Sequence, residues 1–519
     1  MNDQTDRQDP PNGPADDTEV VVTAPAGAMR GRWGGGVARF AGVPYAMAPV
    51  GQRRFRSPQA MPPLGQEHDA RHFGTVCPQN PSLMDALFGG EAETWDEDCL
   101  HLNVWSPTPE PGADLPVMVW IHGGGFEMGS GSSPLYHGES FAREDVVFVS
   151  INYRLGSIGF LELGGLDPEL AGSGNAGLLD QVEALRWVRT NIAAFGGDPD
   201  NVTVFGESAG AMSVSLLLTM PSAKGLFAKA IAQSGAAGSA RTIEHARADA
   251  TEFLARLDVS TVEQLQALPV EKLLGAHSAL SASRMADPDE VIARSGNPLA
   301  FLPFRPVADG ADVPTDPLGS LAEGSAAGIP VVLGTNLDEW KLFAMMGPVA
   351  DSRDAVLKRL GLLTTDAEGA LVIYEKAHPG ASPADLESAI LTDRVFRIPA
   401  CEMADAQQAH APVWQYRFDW ASPALGGLLG AAHAIEIPFV FDMVEDHRLH
   451  VLVGAEAPVE LARSMHGAWI DFARNGRPSV PQLDWSDRGE LRTVLILGDD
   501  VTTEDDPQGD TRRFWSQAG

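Results

Sequence analysis

Two glycine-rich clusters and a scatter of histidines and carboxylates carry the chemistry this chain can offer. Gly206-Glu207-Ser208-Ala209-Gly210 follows the apolar run NVTVF and leads into AMSVSLLL, so a strand meets a helix across a short bend. In that setting the serine sits on a sharp turn that lifts its hydroxyl above the sheet, and small residues on either side let strand and helix approach. The first helical N–H groups lie beside it and favour negative charge. The second cluster, His122-Gly123-Gly124-Gly125-Phe126, directly follows PVMVWI. Glycines there let the main chain turn its amides inward, and the amides of Gly124, Gly125 and Ala209 are the expected donors to a developing oxyanion. A serine hydroxyl is too weak an acid to attack unaided; it needs an imidazole base, which in turn needs a carboxylate to fix its tautomer. The two clusters together point to acyl transfer at Ser208.

For a serine at a strand–turn–helix bend the chain order is serine, acid, histidine. His378, His410, His433, His447, His450 and His466 all lie downstream of Ser208. His466 belongs to an amphipathic helical run, where a surface or core role is expected. His433 lies in the small-residue loop GLLGAAHAIEIPF just after VWQYRFDW, and a loop beyond a strand end is where a reach to the serine is feasible. With 13 histidines and 70 acidic residues in the chain, the residues alone leave both partners open.

The elements that must position these groups are legible as apolar runs. Pro116–Ile121, Val146–Tyr153, Asn201–Gly206, Ile329–Gly334, Val413–Trp420 and Thr493–Leu497 read as near-continuous buried strands separated by helices, the pattern of a mostly parallel sheet covered on both faces. Leu178–Ala194 has helical apolar spacing and stops before Phe195-Gly196-Gly197. Ser260-x-x-Glu263 reads as a capping box, Ser382-Pro383 as a capped helix start, and Pro458 as the opening of an apolar helix face that ends at Gly476. The expected class is α/β: one domain over residues 19–519, with helical insertions at about 240–300 and 345–410 forming a cap over the strand ends, where such sheets place their sites.

Bulk properties narrow the field. The chain has 519 residues, 44% of them hydrophobic, and a formal charge of −33. That excess argues against nucleic acid or an anionic membrane surface as partner. The polar, acidic, proline-rich residues 1–18 lack the pattern of a secretory signal and read as a disordered tail, so a cytoplasmic location is the default expectation. The chain has three cysteines and no Cys-x-x-Cys. His68/His72 and His447/His450 have helical-ligand spacing but no acidic partner motif. No metal or organic cofactor is expected.

A run of segments then carries a resemblance. FAGVPYAMAPVGQRRFR, EDCLHLNVW, PVMVWIHGGGF, NYRLGSIGF, GNAGLLDQ, FGGDPDNVTVFGESAGA, QSGA, GTNLDEW, HAIEIPFVF and the late RFW together resemble the type-B carboxylesterases, from about Phe40 to Trp515. That family, which contains bacterial para-nitrobenzyl esterases and animal cholinesterases, has the α/β-hydrolase fold. The resemblance implies Glu339, in Gly334-Thr335-Asn336-Leu337-Asp338-Glu339, as the acid rather than Asp338, and His433 as the base. It matches Glu436 to a buried glutamate, Ser234 to a second serine near the triad, and Cys77 with Cys99 to a disulfide that a reducing compartment would keep open. It pairs Arg54 with Glu97 and Arg154 with Asp180. Glu207 either raises the basicity of His433 or fills a tolerant elbow position.

Phe126, Ala300, Leu302 and Phe343 are the expected pocket residues. Small Ala300 and Leu302, where relatives carry bulky aromatics, imply a roomy acyl side. The choline-binding tryptophan of cholinesterases has no clear counterpart, because Trp95 falls too close to Cys99. The implied activity is hydrolysis of small to medium alkyl or aryl carboxylic esters, and the sequence does not name the oligomeric state. The alternatives are an adhesion member of the same family, which the retained serine argues against, and a lipase or amidase with the same triad.

Overall fold

The computed structural model describes residues 16–81, 94–481 and 483–517. Most of the expected tail, residues 1–15, lies outside them. The main sheet has β1 (Glu19–Ala24), β2 (Gly27–Gly34), β3 (Val37–Pro44), β4 (His101–Ser106), β5 (Leu115–Ile121), β6 (Val147–Ile151), β7 (Gly197–Glu207), β8 (Lys229–Gln233), β9 (Val331–Asn336), β10 (Val413–Phe418), β11 (Thr493–Leu497) and β12 (Val501–Asp505). Their spatial order is β1-β2-β3-β4-β6-β5-β7-β8-β9-β10-β11-β12, with the short strand His68–Asp69 beside β2. From β6 through β11 every neighbouring pair is parallel. The antiparallel pairs lie toward the two edges.

Side chains alternate across this sheet with the strand period of two. Val117, Val119 and Ile121 of β5 join one apolar core, while Met118 and Trp120 join another on the opposite face. Val331 and Leu333 of β9 follow the first, and Val332 the second. The first core is covered by α1 (Ala176–Asn191) and α2 (Ala209–Leu217). Further along the chain come α3 (Ile243–Leu257), α4 (Val270–Met285) and α5 (Val459–Asn475). Leu461, Met465 and Trp469 of α5 pack into the second core, and α5 ends at Gly476 in the left-handed region (φ 71°). His466, on that buried face, bonds the Val440 carbonyl through Nδ1 at 2.8 Å, a core role.

The expected elements recur with small boundary shifts. One start moves: the capping box is Thr261 with Gln264, not Ser260 with Glu263. The Gln264 side-chain oxygen accepts from both the Ser260 and Thr261 amides, so the box closes one residue later. Ser382 caps the helix Pro383–Thr392 as read from the sequence. Helices occupy both 243–295 and 353–407. Among the described residues no helix is long and apolar enough to cross a membrane.

The two charge pairs form. Arg154 and Asp180, both 0% exposed, meet at 2.6 Å, and Arg54 meets Glu97 at 2.5 Å. Cys77 and Cys99, in contrast, are free thiols. They lie in contact within the apolar core, where burial and the Cys77 thiol hold Cys99 well above the usual thiol range. Burial in the neutral thiol form, rather than a bridge, accommodates the pair.

Candidate active site

β7 ends at Glu207 and α2 begins at Ala209, leaving Ser208 alone at the bend with φ 54° and ψ −122°. A residue with a Cβ rarely occupies that region, and it persists only where the surroundings over-determine it. Here the Ser208 amide donates to the Gln233 carbonyl at 2.9 Å. A Cβ on Gly210 would stand 2.0 Å from the Ile121 carbonyl oxygen, so the end of β5 presses on the first turn of α2 and only glycine fits.

Beyond β5 the chain passes through Gly124 (φ 101°), Gly125 (φ 63°) and Phe126 (φ 63°). A Cβ on Gly124 would lie 2.2 Å from the Met128 carbonyl oxygen. Glu127 closes this turn by donating its amide to the Gly124 carbonyl at 3.0 Å. Its carboxylate is held by α4, at 2.8 Å from His277 Nε2 and 3.2 Å from the Ser281 hydroxyl. Ala209 opens α2, and its N–H is one of the four that a helix leaves without an internal acceptor. Gly124, Gly125, Ala209, Ser208 and His433 line a single cavity of about 1070 Å³.

The loop after β10 brings His433 to Glu339. Its Nδ1 meets Glu339 Oε2 at 2.6 Å, while Glu339 Oε1 accepts the Asn336 amide at 2.8 Å. Asp338 does not share this role: its carboxylate accepts the Ala431 amide at 3.2 Å and pairs with Lys341, pinning the histidine loop from outside. Donation from Nδ1 leaves the neutral ring with its lone pair on Nε2, the tautomer a general base requires. Among the described residues Nε2 makes no hydrogen bond, to the Ser208 hydroxyl or otherwise, although both residues face the cavity. A hydrogen bond between a catalytic base and its nucleophile commonly tightens only once substrate binds.

Glu207 Oε1 lies 3.1 Å from His433 Nε2. Burial opposes a charged ring, but the carboxylates of Glu207 and Glu339 outweigh it and push the His433 pKa up to about 9. Burial, partly offset by His433 and reinforced by Glu436 and Glu339, pushes Glu207 up to about 8. Two groups so close titrate as a pair, and the base-competent form is the one in which the ring is neutral.

Behind this pair runs a buried polar chain that sequence reading missed except for its glutamates. Trp469 Nε1 donates to Gln233 Oε1 at 3.0 Å, Gln233 donates to Glu436 at 3.3 Å, and Asn336 donates to Glu436 at 2.6 Å and to the Ala432 carbonyl at 2.7 Å. Burial and the Glu339 charge push the Glu436 carboxyl up to about 6, with the Asn336 bond working against them. Glu436 therefore touches the histidine loop from beneath rather than lining the cavity. Ser234 also lies outside the cavity: its side chain is buried, and its amide donates to the Gly334 carbonyl at 2.8 Å. Any support it gives runs through the main chain.

Phe126, Leu302 and Phe343 line the cavity, but Ala300 does not. Residues 298–301 form a 3-10 turn, whose three-residue period places Leu299 and Leu302 on the cavity side and turns Ala300 away, where its carbonyl accepts from Arg284. Phe301 lines the wall as well, so an aromatic ring stands where the sequence reading expected only small side chains. Trp95 is also a cavity residue, which spacing to Cys99 had not suggested. Phe396, unseen in the sequence, sits in a π-helical turn at Asp393–Arg397, and its ring centroid lies 4.8 Å from that of His433, with Phe343 at 5.1 Å.

A parallel sheet covered on both faces, with a serine bend at the end of a central strand and a glycine loop beside it, is α/β-hydrolase architecture. The carboxylesterase family model matches residues 18–515. The chain is 41% identical over 507 residues to para-nitrobenzyl esterase of Bacillus subtilis (strain 168), covering 96% of this chain and 98% of that one. It is 35% identical over 494 residues to phenmedipham hydrolase of Pseudarthrobacter oxydans, covering 93% and 96%. A solved para-nitrobenzyl esterase structure superposes with a TM-score of 0.85 at 40% identity, over 96% of this chain and 99% of that one. The protein belongs to the carboxylesterase family and is a carboxylic-ester hydrolase.

Proposed function

We propose that Ser208, His433 and Glu339 form the catalytic triad of this esterase, with Gly124, Gly125 and Ala209 as its oxyanion hole. The observation that carries the assignment is the His433–Glu339 contact of 2.6 Å, which fixes the ring of a histidine lining the same cavity as Ser208. His433 takes the hydroxyl proton as Ser208 attacks the ester carbonyl, and the three amides receive the oxyanion. His433 then gives that proton to the leaving alcohol. Water repeats the sequence on the acyl-enzyme and restores the serine. Glu339 holds the tautomer and stabilises the imidazolium, while Glu207 and Glu436 tune the charge around it.

The substrates are small to medium alkyl or aryl carboxylic esters, supported by a cavity of about 1070 Å³ with largely apolar walls and by relatives named for para-nitrobenzyl esters and phenmedipham. The helices at about 240–300 and 345–410 act as its cap, a reading supported by Met285, Leu299 and Phe396 on the cavity wall. The charge of −33 favours free small molecules over nucleic acid or anionic membranes as partners. A cytoplasmic setting is supported by the adjacent free thiols Cys77 and Cys99. The test is turnover of p-nitrophenyl esters of increasing acyl length by the full chain and by Ser208→Ala. Loss of turnover in the variant is expected, and equal rates would remove Ser208 from the reaction.

A further inference from the structure

Among the described residues lining the cavity, Arg305 is the only guanidinium or ammonium. It is 2% exposed, and two backbone carbonyls fix its direction: Nε donates to Leu302 at 3.1 Å and Nη1 to Ser239 at 2.9 Å. No described carboxylate forms an ion pair with it. The buried carboxylate of its neighbourhood, Asp249, is already shared by Arg241 at 2.9 Å and Arg284 at 2.6 Å. Glu127, the nearby cavity carboxylate, is engaged by His277 and Ser281. Burial and the Arg241 charge accordingly pull the Arg305 pKa down to about 9, the direction expected of a cation short of counter-charge.

A cation withdrawn from water without a counter-ion is costly, and carbonyl dipoles offset only part of that cost. The triad makes no use of this one. Leu302 Cδ1 comes within 3.4 Å of where a Cβ on Gly125 would lie, so the wall that carries Arg305 adjoins the oxyanion loop. His433, which must protonate the leaving alcohol, instead lies against Phe343 and Phe396. The acyl chain therefore has the Leu302–Arg305 side to extend along.

We infer that Arg305 is the receptor for an anionic group on the acyl portion of the substrate, so that half-esters of dicarboxylic acids, with one carboxylate free, are a substrate class of this cavity. The planar guanidinium suits a carboxylate, and a charge-assisted bond in a dry wall is far stronger than at a surface. The inference rests on the catalytic reading of Ser208 given above.

The test compares p-nitrophenyl monoadipate, whose acyl chain ends in a carboxylate, with the neutral p-nitrophenyl heptanoate, using the full-length protein. The wild type is expected to cleave the monoadipate at least as efficiently as the heptanoate, despite its own negative charge. Arg305→Gln is expected to lower the monoadipate-to-heptanoate ratio of kcat/KM by about 30-fold or more, as for loss of one partner of a buried charge pair, and Arg305→Lys to recover part of it. A ratio left unchanged because both esters lose the same factor would make Arg305 a structural tie and overturn the inference. Wild-type protein that cleaves the heptanoate but rejects the monoadipate would overturn it without any variant. Folded wild type with no Ser208-dependent turnover of either ester would bring down the catalytic reading and this inference together.

Discussion

Replacing Glu207 with glutamine keeps the shape of the side chain and removes a charge 3.1 Å from His433 Nε2. An opposite charge at such range shifts a histidine by about 1–3 pH units. Glu207 is itself pushed up to about 8 by burial, so near neutrality it is largely protonated and the lower end of that range, about 1 unit, is expected. The sign follows from the reactive form. His433 must be neutral to accept the serine proton, and its pKa stands above the ordinary value, so activity rises as pH climbs on the alkaline side of 6.5. With the charge gone, burial prevails and the ascending limb of kcat/KM moves toward acid. The same carboxylate stabilises the imidazolium of the transition state, and 1 unit corresponds to about 1.4 kcal/mol, or roughly tenfold in plateau kcat. Steady-state hydrolysis of p-nitrophenyl acetate across the pH range, read at a wavelength independent of phenol ionisation, measures both. A limb that stays in place or moves toward alkali in a folded Glu207→Gln protein refutes the coupling.

Three other outcomes are expected. Glu339→Gln keeps the 2.6 Å contact sterically possible but allows the wrong histidine tautomer, and kcat should fall by about 10⁴; a loss below tenfold with p-nitrophenyl butyrate would reassign the acid. Gly210→Ala places a methyl group 2.0 Å from a backbone oxygen that cannot swing away, so yield and Tm should collapse together; a wild-type melting curve would show the elbow to be softer than described. Asp180→Asn strands the fully buried Arg154 and should cost about 3–5 kcal/mol in urea unfolding; a change under about 1 kcal/mol would mean that the Arg56 and Ala176 carbonyls, to which Arg154 also donates, suffice.

The strands around Ser208 were readable because each is buried on both faces and so appears as an unbroken apolar run. The two clusters that flank the cavity were readable because sharp turns demand glycine at fixed places. What resisted was contact across the chain. Eight histidines lie downstream of Ser208; a loop beyond a strand end made His433 feasible, but only the family resemblance singled it out, and its partner Glu339 lies 94 residues earlier. Gln233, Asn336 and Trp469 are unremarkable in sequence and become a polar chain only when β8, β9 and α5 come together. Ala300 faces away and Phe301 lines the wall because a 3-10 turn presents them, which side-chain size alone does not reveal. Cys77 and Cys99 were brought together as the resemblance implied, yet as thiols.

Glu127 ties the glycine loop to α4 through His277, 150 residues further along the chain. The amides of Gly124 and Gly125 are thereby braced at one end by β5 and at the other by the roof of the cavity. Any tilt or slide of α4 pulls on that carboxylate and changes the aim of those N–H groups. Drift on the outward surface of the roof, far from any reacting atom, can then tune turnover while every cavity residue stays the same.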